Sequence, residues 1–272
     1  MDAIRPRPAC IAFGAALGCA LGMLACGDGA AGAPNGPGQL DASVDSGVAD
    51  AADGSAAGDA GAEPDAASDG GDDGGLGPAC EQALSADFAA RDTLPESPVP
   101  EAEWYLDALQ GTWGPAAAAY PPVGAPSGCS ELSWKRQRVI AVAEKFVGLP
   151  YQHHHIPAWD PASAWPGAEG PGLDCSNFSA WAYNYALGIQ FTSNVEAQAD
   201  GSEAPGRRLA PDEAREPADL LYILSEDLSH VAHVVLLVDA QHIIDSTGPG
   251  VQIRSFTGWY QDRYSHARRV IE

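Results

Sequence analysis

The stretch Leu173–Gly188, "LDCSNFSAWAYNYALG", decides how the rest of the chain is interpreted. Phe178, Trp181 and Tyr185 recur at spacings of three and four residues and a glycine ends the run, so the stretch is predicted to form a helix. Cys175 then lies in its first turn. Backbone N–H groups and the positive end of the helix dipole there lower the pKa of a thiol, which is ordinarily about 8.5. This setting suits a nucleophile; the alternative is a cysteine that only fills the core.

The first 26 residues have the features of a secretory signal. Arg5 and Arg7 precede the apolar run "ACIAFGAALGCALGMLA", which is shorter than the roughly 20 apolar residues of a membrane-spanning helix. Its end, "MLAC", resembles the lipobox of bacterial lipoproteins, with Met23 where leucine is more usual. In that family the signal is cut just before the cysteine, here Cys26, which then carries lipid. An uncleaved anchor and a plain secretory signal are the alternatives, and in each case the remainder is expected outside the cytoplasm.

Residues 27–79 are predicted to form a disordered acidic tether. The segment is mainly Ala, Gly, Asp, Ser and Pro, which leaves almost nothing to bury. It carries much of the formal net charge of −23, so the acidity belongs to a tail. Because the chain has no basic stripe with interleaved aromatic residues, nucleic acid is not expected as a partner.

Cys80 and Cys129 bracket the next segment, an N-terminal extension over residues 80–130 that is rich in Pro and Ala. In an oxidising compartment these two cysteines are natural disulfide partners, and their pairing leaves Cys175 single. One short helix is expected in the extension, around "EAEWYLDALQ". Whether the extension covers the site around Cys175 is open at this point.

Residues 131–272 have the pattern of a packed domain of ordinary size. "SWKRQRVIAVAEKFVG" is expected to be a helix, with Ser133 as its N-cap and Gly148 as its stop. After the second helix the runs become short and β-branched and are separated by turns. Consecutive antiparallel strands are predicted over "ADLLYIL", "HVAHVVLLVD", "QHIIDST", "VQIRSF" and "YSHARRVI". Helices followed by strands predict an α+β fold, with the helices packed on one sheet.

A catalytic thiol needs an imidazole to take its proton and a third group to orient that imidazole. His230 and His233 are three residues apart in one predicted strand, so a regular strand would turn them to opposite faces. His242 and Asp245 are related in the same way in the next strand. The alternation of side chains along a strand does not decide which residue of each pair faces Cys175.

Taken in order, these segments resemble the NlpC-like cell-wall cysteine peptidases, a compact papain-like family. "LDCSNFSAWAYNYALG" resembles the family's D-C-S-G-[FL]-x-x-[YW] motif, and "EPADLLYI" resembles its P-G-D-L-[LV]-[FY] strand, with Ala218 where glycine is usual. "HVVLLVDAQHIIDSTGPGVQIR" and "RYSHARRVI" resemble the strands that follow. The resemblance implies a papain-like core in which Cys175 is the nucleophile, His233 the base and Asp245 the third catalytic residue. The third position more often holds His, Asn or Gln.

The resemblance also implies how substrate is held. Asp174 and Ser176, which flank the cysteine, and the upstream Tyr151 are expected to hold the free amino end of a substrate peptide. The backbone N–H of Cys175 is expected to help stabilise the oxyanion.

One segment departs from the family pattern. After the tyrosine the family usually has a short glycine-rich turn, whereas this chain has His153, His154 and His155 in a longer insert with several prolines and two tryptophans. A pocket role is expected for these histidines. A surface role and a metal site are the alternatives, although no Cys-x-x-Cys or His-x-x-x-His pattern strengthens the metal site.

The function implied is that of a lipid-anchored, extracytoplasmic cysteine endopeptidase. It would hydrolyse amide bonds of peptidoglycan stem peptides, typically between γ-D-glutamate and the diamino acid, with no metal or cofactor. A papain-like amidase or acyltransferase acting on another acyl substrate is one alternative. A non-catalytic wall-binding module is the other. Nothing in the sequence predicts an oligomer.

Overall fold

The computed structural model describes residues 75–109, 112–161 and 170–272. The predicted signal peptide with Cys26, and residues 27–74 of the predicted tether, lie outside the described residues. Helical structure begins at Pro78, just inside the predicted end of the tether. Within the described ranges, none of the helices is both long enough and apolar enough to cross a membrane.

The described chain contains six helices, one 3-10 turn and six strands. In chain order they are α1 Pro78–Ala83, α2 Phe88–Arg91, the 3-10 turn Glu101–Glu103, α3 Glu131–Lys145, α4 Cys175–Leu187, α5 Val195–Asp200, β1 Arg207–Arg208, β2 Leu220–Leu224, β3 Val231–Leu237, β4 His242–Thr247, β5 Gly250–Ser255, α6 Trp259–Asp262 and β6 Tyr264–Arg269.

All six strands form one antiparallel sheet in the order β1-β6-β2-β3-β4-β5. The α+β prediction is confirmed. Strands β2 to β5 follow one another across the sheet as predicted, but β6 does not continue beyond β5. Instead it pairs with the other side of β2, so that Tyr222 lies opposite His266. The short helix α6 lies in the connection between β5 and β6.

Helix α4 lies at the centre of the core. Almost all of its side chains are buried, because α3 packs on one side of it and strands β3 and β4 on another. It ends at Gly188, whose φ of 71° is left-handed. A Cβ at this position would also lie 2.5 Å from the carbonyl oxygen of Tyr120, so the close approach of the extension requires glycine as well.

The N-cap of helix α3 lies three residues before the predicted one. Ser130, not Ser133, is the N-cap, and the two hydroxyl oxygens lie 3.2 Å apart. The helix ends at Lys145, and Gly148 follows with a φ of 91°. Of the apolar stripe predicted from the sequence, Val139 and Val142 are fully buried and Phe146 is partly buried, whereas Val147 is 50% exposed.

The extension is closed on itself by a disulfide and fastened to the domain by polar bonds. Cys80 and Cys129 form a disulfide. From α3, the buried guanidinium of Arg138 donates to the carbonyl oxygens of Leu84, in the extension, and Ala186, in α4, at 2.6 and 2.8 Å. The helix predicted around "EAEWYLDALQ" is reduced to the single 3-10 turn, after which the indole of Trp104 bonds to the carbonyl oxygen of Val99 at 2.8 Å.

Candidate active site

Cys175 is the first residue of α4 and is fully buried. Asp174 is the N-cap: its Oδ1 accepts from the backbone N–H of Asn177 at 2.8 Å and from the hydroxyl of Ser176 at 3.1 Å. These bonds fix the first turn and satisfy one of the N–H groups that a helix start leaves without an intrahelical acceptor. Among the described cysteines, Cys175 is the one that remains a thiol.

His233 and Asp245 form a buried pair across neighbouring strands. Nε2 of His233 lies 2.8 Å from Oδ2 of Asp245, and Asp245 has no exposed surface. In the register of β2 and β3, Ile223 lies opposite His233 and Leu224 lies opposite Val231. Ala232 is therefore the extra residue of a bulge, which redirects the side chains at this point.

The competing histidines lie elsewhere. His230 precedes β3 on an exposed turn, where its Nδ1 lies 2.9 Å from the hydroxyl oxygen of Ser229. His242 begins β4 near the surface, and its Nδ1 lies 2.9 Å from a carboxylate oxygen of Asp239. The alternation that left these choices open did not account for the bulge or for the turn before β3.

Two residues that sequence reasoning missed hold the carboxylate of Asp245. Arg254 donates from Nε to Oδ1 at 2.9 Å, and the hydroxyl of Tyr260 donates to Oδ2 at 2.7 Å. Burial raises the pKa of Asp245, but the hydrogen bond and charge of His233, the bond from Tyr260 and the charge of Arg254 outweigh it. The pKa therefore ends below its ordinary value. Asp245 lies opposite Gln252, so Arg254 is on the same face of the sheet, a relation visible only once this register is known.

Tyr260 is bonded to this pair and is affected by the charge of the cysteine. Burial and the charge of Asp245 raise the pKa of Tyr260 far above its ordinary value, and the charge of Cys175 contributes to the same shift. The ring of Tyr260 lies 6.1 Å from that of His233, between centroids. The start of α4 and the His233–Asp245 pair therefore lie within electrostatic range of one shared group.

The residues expected to hold an amino end are also close together, with His153 added to them. Nδ1 of His153 lies 3.3 Å from Oδ2 of Asp174, and its ring centroid lies 5.3 Å from that of Tyr151. Asp174 is fully buried, whereas the side chain of His153 is 23% exposed. The buried carboxylate of Asp174 therefore has a partly exposed imidazole as its neighbour.

A family comparison matches residues 163–269 to the NlpC/P60 family. The match identifies residues 163–269 as an NlpC/P60 domain. Its helices and antiparallel sheet form the α+β fold expected from the sequence. No curated protein sequence matches the chain.

Several solved structures are similar to the NlpC/P60 domain. An NlpC/P60 family protein from Bacillus cereus is 25% identical over 50% of this chain and 40% of its own, with a TM-score of 0.39. The peptidoglycan hydrolase RipB of Mycobacterium tuberculosis is 16% identical over 71% and 82%, with a TM-score of 0.40. RipD of the same species, a non-catalytic NlpC/p60 domain protein adapted to peptidoglycan binding, is 19% identical over 50% and 98%, with a TM-score of 0.40. The chain thus spans about two fifths of the Bacillus cereus protein.

The histidine insert begins before the matched NlpC/P60 residues, and its three histidines lie in different surroundings. His154 is buried with its ring edge-on to Trp159 at 4.6 Å. Nδ1 of His155 lies 3.1 Å from Oδ1 of Asn177, whereas His153 contacts the carboxylate of Asp174. No group of three or more His, Cys, Asp or Glu side chains that could hold a metal ion occurs among the residues described.

The extension reaches this insert. The ring of Trp113 lies 5.5 Å from that of His153 and 5.8 Å from that of His155, and its carbonyl oxygen accepts from the backbone N–H of His155 at 2.9 Å. The Cys80–Cys129 segment is therefore part of the wall around the residues expected to hold the amino end of a substrate.

Proposed function

We propose that this protein is a cysteine endopeptidase that hydrolyses amide bonds in peptidoglycan stem peptides, with Cys175, His233 and Asp245 as its catalytic residues. The observation that carries the proposal is the buried 2.8 Å bond between His233 and Asp245, in a region electrostatically coupled to Cys175. The NlpC/P60 match over residues 163–269 supports the substrate class.

The tautomer of His233 follows from its bond to Asp245. Since Nε2 donates to the carboxylate, Nδ1 is the nitrogen that accepts the thiol proton. The products are an imidazolium and a thiolate, and the thiolate is favoured by the N–H groups and the dipole at the start of α4.

Acylation then proceeds by addition and elimination. The sulfur attacks the scissile carbonyl carbon, an S–C bond forms, and the carbonyl oxygen takes the negative charge, which the backbone N–H of Cys175 stabilises. His233 returns its proton to the amine nitrogen as the C–N bond breaks. A water molecule gives its proton to His233 and attacks the thioester, which releases the acid and regenerates the thiol.

Asp245 serves mainly as a positioning group. Arg254 already compensates its charge and Tyr260 shares the oxygen that faces His233. The carboxylate therefore has a fixed orientation before substrate binds, and it fixes the tautomer and the plane of the imidazole.

The amino end of the stem peptide is assigned to His153 and Tyr151, with Asp174 and Ser176 behind them. A neutral His153 that donates Nδ1–H to Asp174 presents Nε2 as an acceptor for an ammonium group, and the buried carboxylate supplies the opposite charge. The ring of Tyr151 beside it adds a face that attracts cations.

The location follows from the N-terminal residues. We assign Cys26 as a lipidated anchor on a bacterial membrane and residues 27–79 as its tether, so that the domain acts outside the cytoplasm. About 50 flexible residues span roughly 40 Å on average, which lets an anchored domain reach a polymer away from the membrane. The Cys80–Cys129 disulfide is consistent with an oxidising compartment.

The proposal is tested with the full chain and purified peptidoglycan, by mass spectrometry of the released fragments. The wild type is expected to release stem-peptide pieces whose ends name the cleaved bond. Cys175→Ala is expected to release none while keeping the wild-type melting temperature. Release by Cys175→Ala at the wild-type rate would refute the nucleophile assignment. A folded wild type that releases nothing would instead favour an amidase or acyltransferase acting on another acyl group.

A further inference from the structure

An exposed tryptophan lies beside the imidazole of the proposed catalytic pair. Trp259, the first residue of α6, is 40% exposed, and its ring centroid lies 6.0 Å from that of His233. The ring of Tyr260 also lies beside His233, but its hydroxyl is already bonded to Asp245. Trp259 has no role in the proposed hydrolysis, so its exposed surface beside the imidazole is available to a ligand.

The chemistry of hydrolysis determines which part of a substrate reaches this tryptophan. In the proposed reaction His233 protonates the leaving nitrogen, which has to lie within hydrogen-bond distance of the imidazole at that step. The residues assigned to the amino end, Tyr151, His153 and Asp174, bind the other part of the substrate, on the acyl side of the scissile bond. The residue that carries the leaving nitrogen is therefore the one that comes within reach of Trp259.

A guanidinium lies over the same indole. Cζ of Arg263 is 5.6 Å from the centroid of the Trp259 ring, and stacking on an aromatic face restrains the plane of a guanidinium. His233 and Arg263 are therefore no farther apart than the 6.0 and 5.6 Å of their contacts with Trp259 placed end to end. The leaving residue can span such a distance. About six covalent bonds advance roughly 7 Å in an extended chain, and a hydrogen bond of about 2.9 Å at each end covers the remainder.

Arg263 has no counter-ion in the described part of the chain. Apart from Arg215 and Arg268, every other described arginine and lysine lies within 4.0 Å of a carboxylate oxygen. Nε is the one guanidinium nitrogen of Arg263 that is buried without an acceptor. Nη1 and Nη2, which bond to no described residue either, are therefore open to solvent. Two such donors match the two oxygens of a carboxylate.

We propose that Trp259 and Arg263 bind the amine side of the substrate, an assignment that rests on the proposed function because that function puts the leaving nitrogen at His233. The indole packs on the apolar carbons of the leaving residue, and the guanidinium donates to a carboxylate of that residue. Two kinds of leaving residue have such a group. One is a diamino acid with a carboxylate on its side chain, such as meso-diaminopimelate. The other is a residue at which the peptide ends, through its α-carboxylate.

Three synthetic stem peptides separate these sources, each with a free amino end and γ-D-glutamate before the scissile bond. The first continues with lysine and D-alanine amide and has no carboxylate on the amine side. The second has meso-diaminopimelate in place of lysine, which adds one side-chain carboxylate. The third ends at lysine with a free α-carboxylate. For each peptide, kcat and KM are measured with the full chain, and the dissociation constant is measured with the full chain carrying Cys175→Ala.

We expect the wild-type KM to be at least about tenfold lower for the second or the third peptide than for the first, because a bond to a charged group is lost in the first. The peptide that shows the difference identifies the source of the carboxylate. Arg263→Gln is expected to remove the difference and to leave kcat within about twofold, as expected for a contact that binds substrate and transition state equally. Trp259→Ala is expected to raise KM for all three peptides.

Arg208→Gln is the matched control, since it removes an equal charge from β1, at the far edge of the sheet from the catalytic pair, and it should keep the difference in KM. Equal KM values for all three peptides, or a difference that survives Arg263→Gln, overturn the carboxylate site and leave the proposed hydrolysis intact. An unchanged KM in Trp259→Ala overturns the role of the indole.

Failure of the proposed function gives a different result, in which the folded wild type cleaves none of the three peptides. The dissociation constants of Cys175→Ala then decide the carboxylate site on their own. A preference for the second or third peptide that Arg263→Gln removes supports the site. Equal constants for all three peptides overturn it.

Discussion

Replacing Asp245 by asparagine tests the catalytic arrangement most directly, because the change keeps the shape of the side chain and removes one acceptor. In the wild type, Oδ2 accepts from His233 and Tyr260 while Oδ1 accepts from Arg254. Asparagine has only one oxygen. If that oxygen stays toward His233, the NH₂ group of the asparagine faces the Arg254 guanidinium. If the amide is turned the other way, the NH₂ group faces His233 and Tyr260.

Either orientation leaves a charged or imidazole donor without its acceptor. A lost bond to a charged group costs about 1.5–3 kcal/mol, so we expect Asp245→Asn to lower the free energy of unfolding by about 2–3 kcal/mol. In the orientation that turns the NH₂ group toward His233, the imidazole also loses the acceptor that fixes its tautomer. Loss of a correctly placed general base lowers kcat/KM by about 10²–10⁴-fold, which corresponds to about 3–5 kcal/mol of transition-state stabilisation.

The assay is release of stem-peptide fragments, read together with a denaturant melt of each variant. Asp239→Asn is the matched control, since Asp239 holds His242 in an exposed pair of similar distance. It should change the rate less than twofold and the stability by less than about 0.5 kcal/mol. An Asp245→Asn enzyme that keeps kcat/KM within about threefold of wild type would show that Asp245 does not position the base.

Three further outcomes are expected. The pKa of Asp245 is lowered in the folded state, so its stabilising contribution is present above the unfolded pKa of about 3.9 and is lost as pH falls below that value. In urea melts, the difference in stability between wild type and Asp245→Asn should therefore be largest above about pH 5 and small below about pH 4. A difference that grows in acid would contradict this. Replacing Cys80 and Cys129 together by alanine opens a loop with a sequence separation of 49 residues. Chain entropy predicts that this lowers the free energy of unfolding by about 4 kcal/mol. A melting temperature equal to that of the wild type under non-reducing conditions would count against the disulfide. His153→Phe keeps an aromatic ring but removes the acceptor nitrogen that lies beside the Asp174 carboxylate. It should raise KM at least about tenfold for a stem peptide with a free amino end and leave KM for the N-acetylated peptide within twofold. Equal effects on both peptides would show that His153 does not bind the amino end.

Local physics in the sequence was sufficient to predict helix α4 and the position of Cys175 on it. The helical spacing of large apolar residues and the terminal glycine depend only on neighbours along the chain, and Asp174 caps its own helix. The same holds for most strands, whose β-branched runs and turns predicted the α+β class. These features are local, so they remain readable without knowing what packs against them.

Tertiary structure decided which side chains meet. Strand alternation could not choose between His230 and His233, because the choice depends on a bulge at Ala232 that arises from pairing with β2. The assignments of Arg254 and Tyr260 to Asp245 depend on the register of β5 and on the short helix after it. Asn184 of α4 bonds to Tyr120 and Ala118 of the extension, which lie 64 and 66 residues away in the chain. Contacts of this kind are set by packing of distant segments, and a pattern of neighbouring residues carries no record of them.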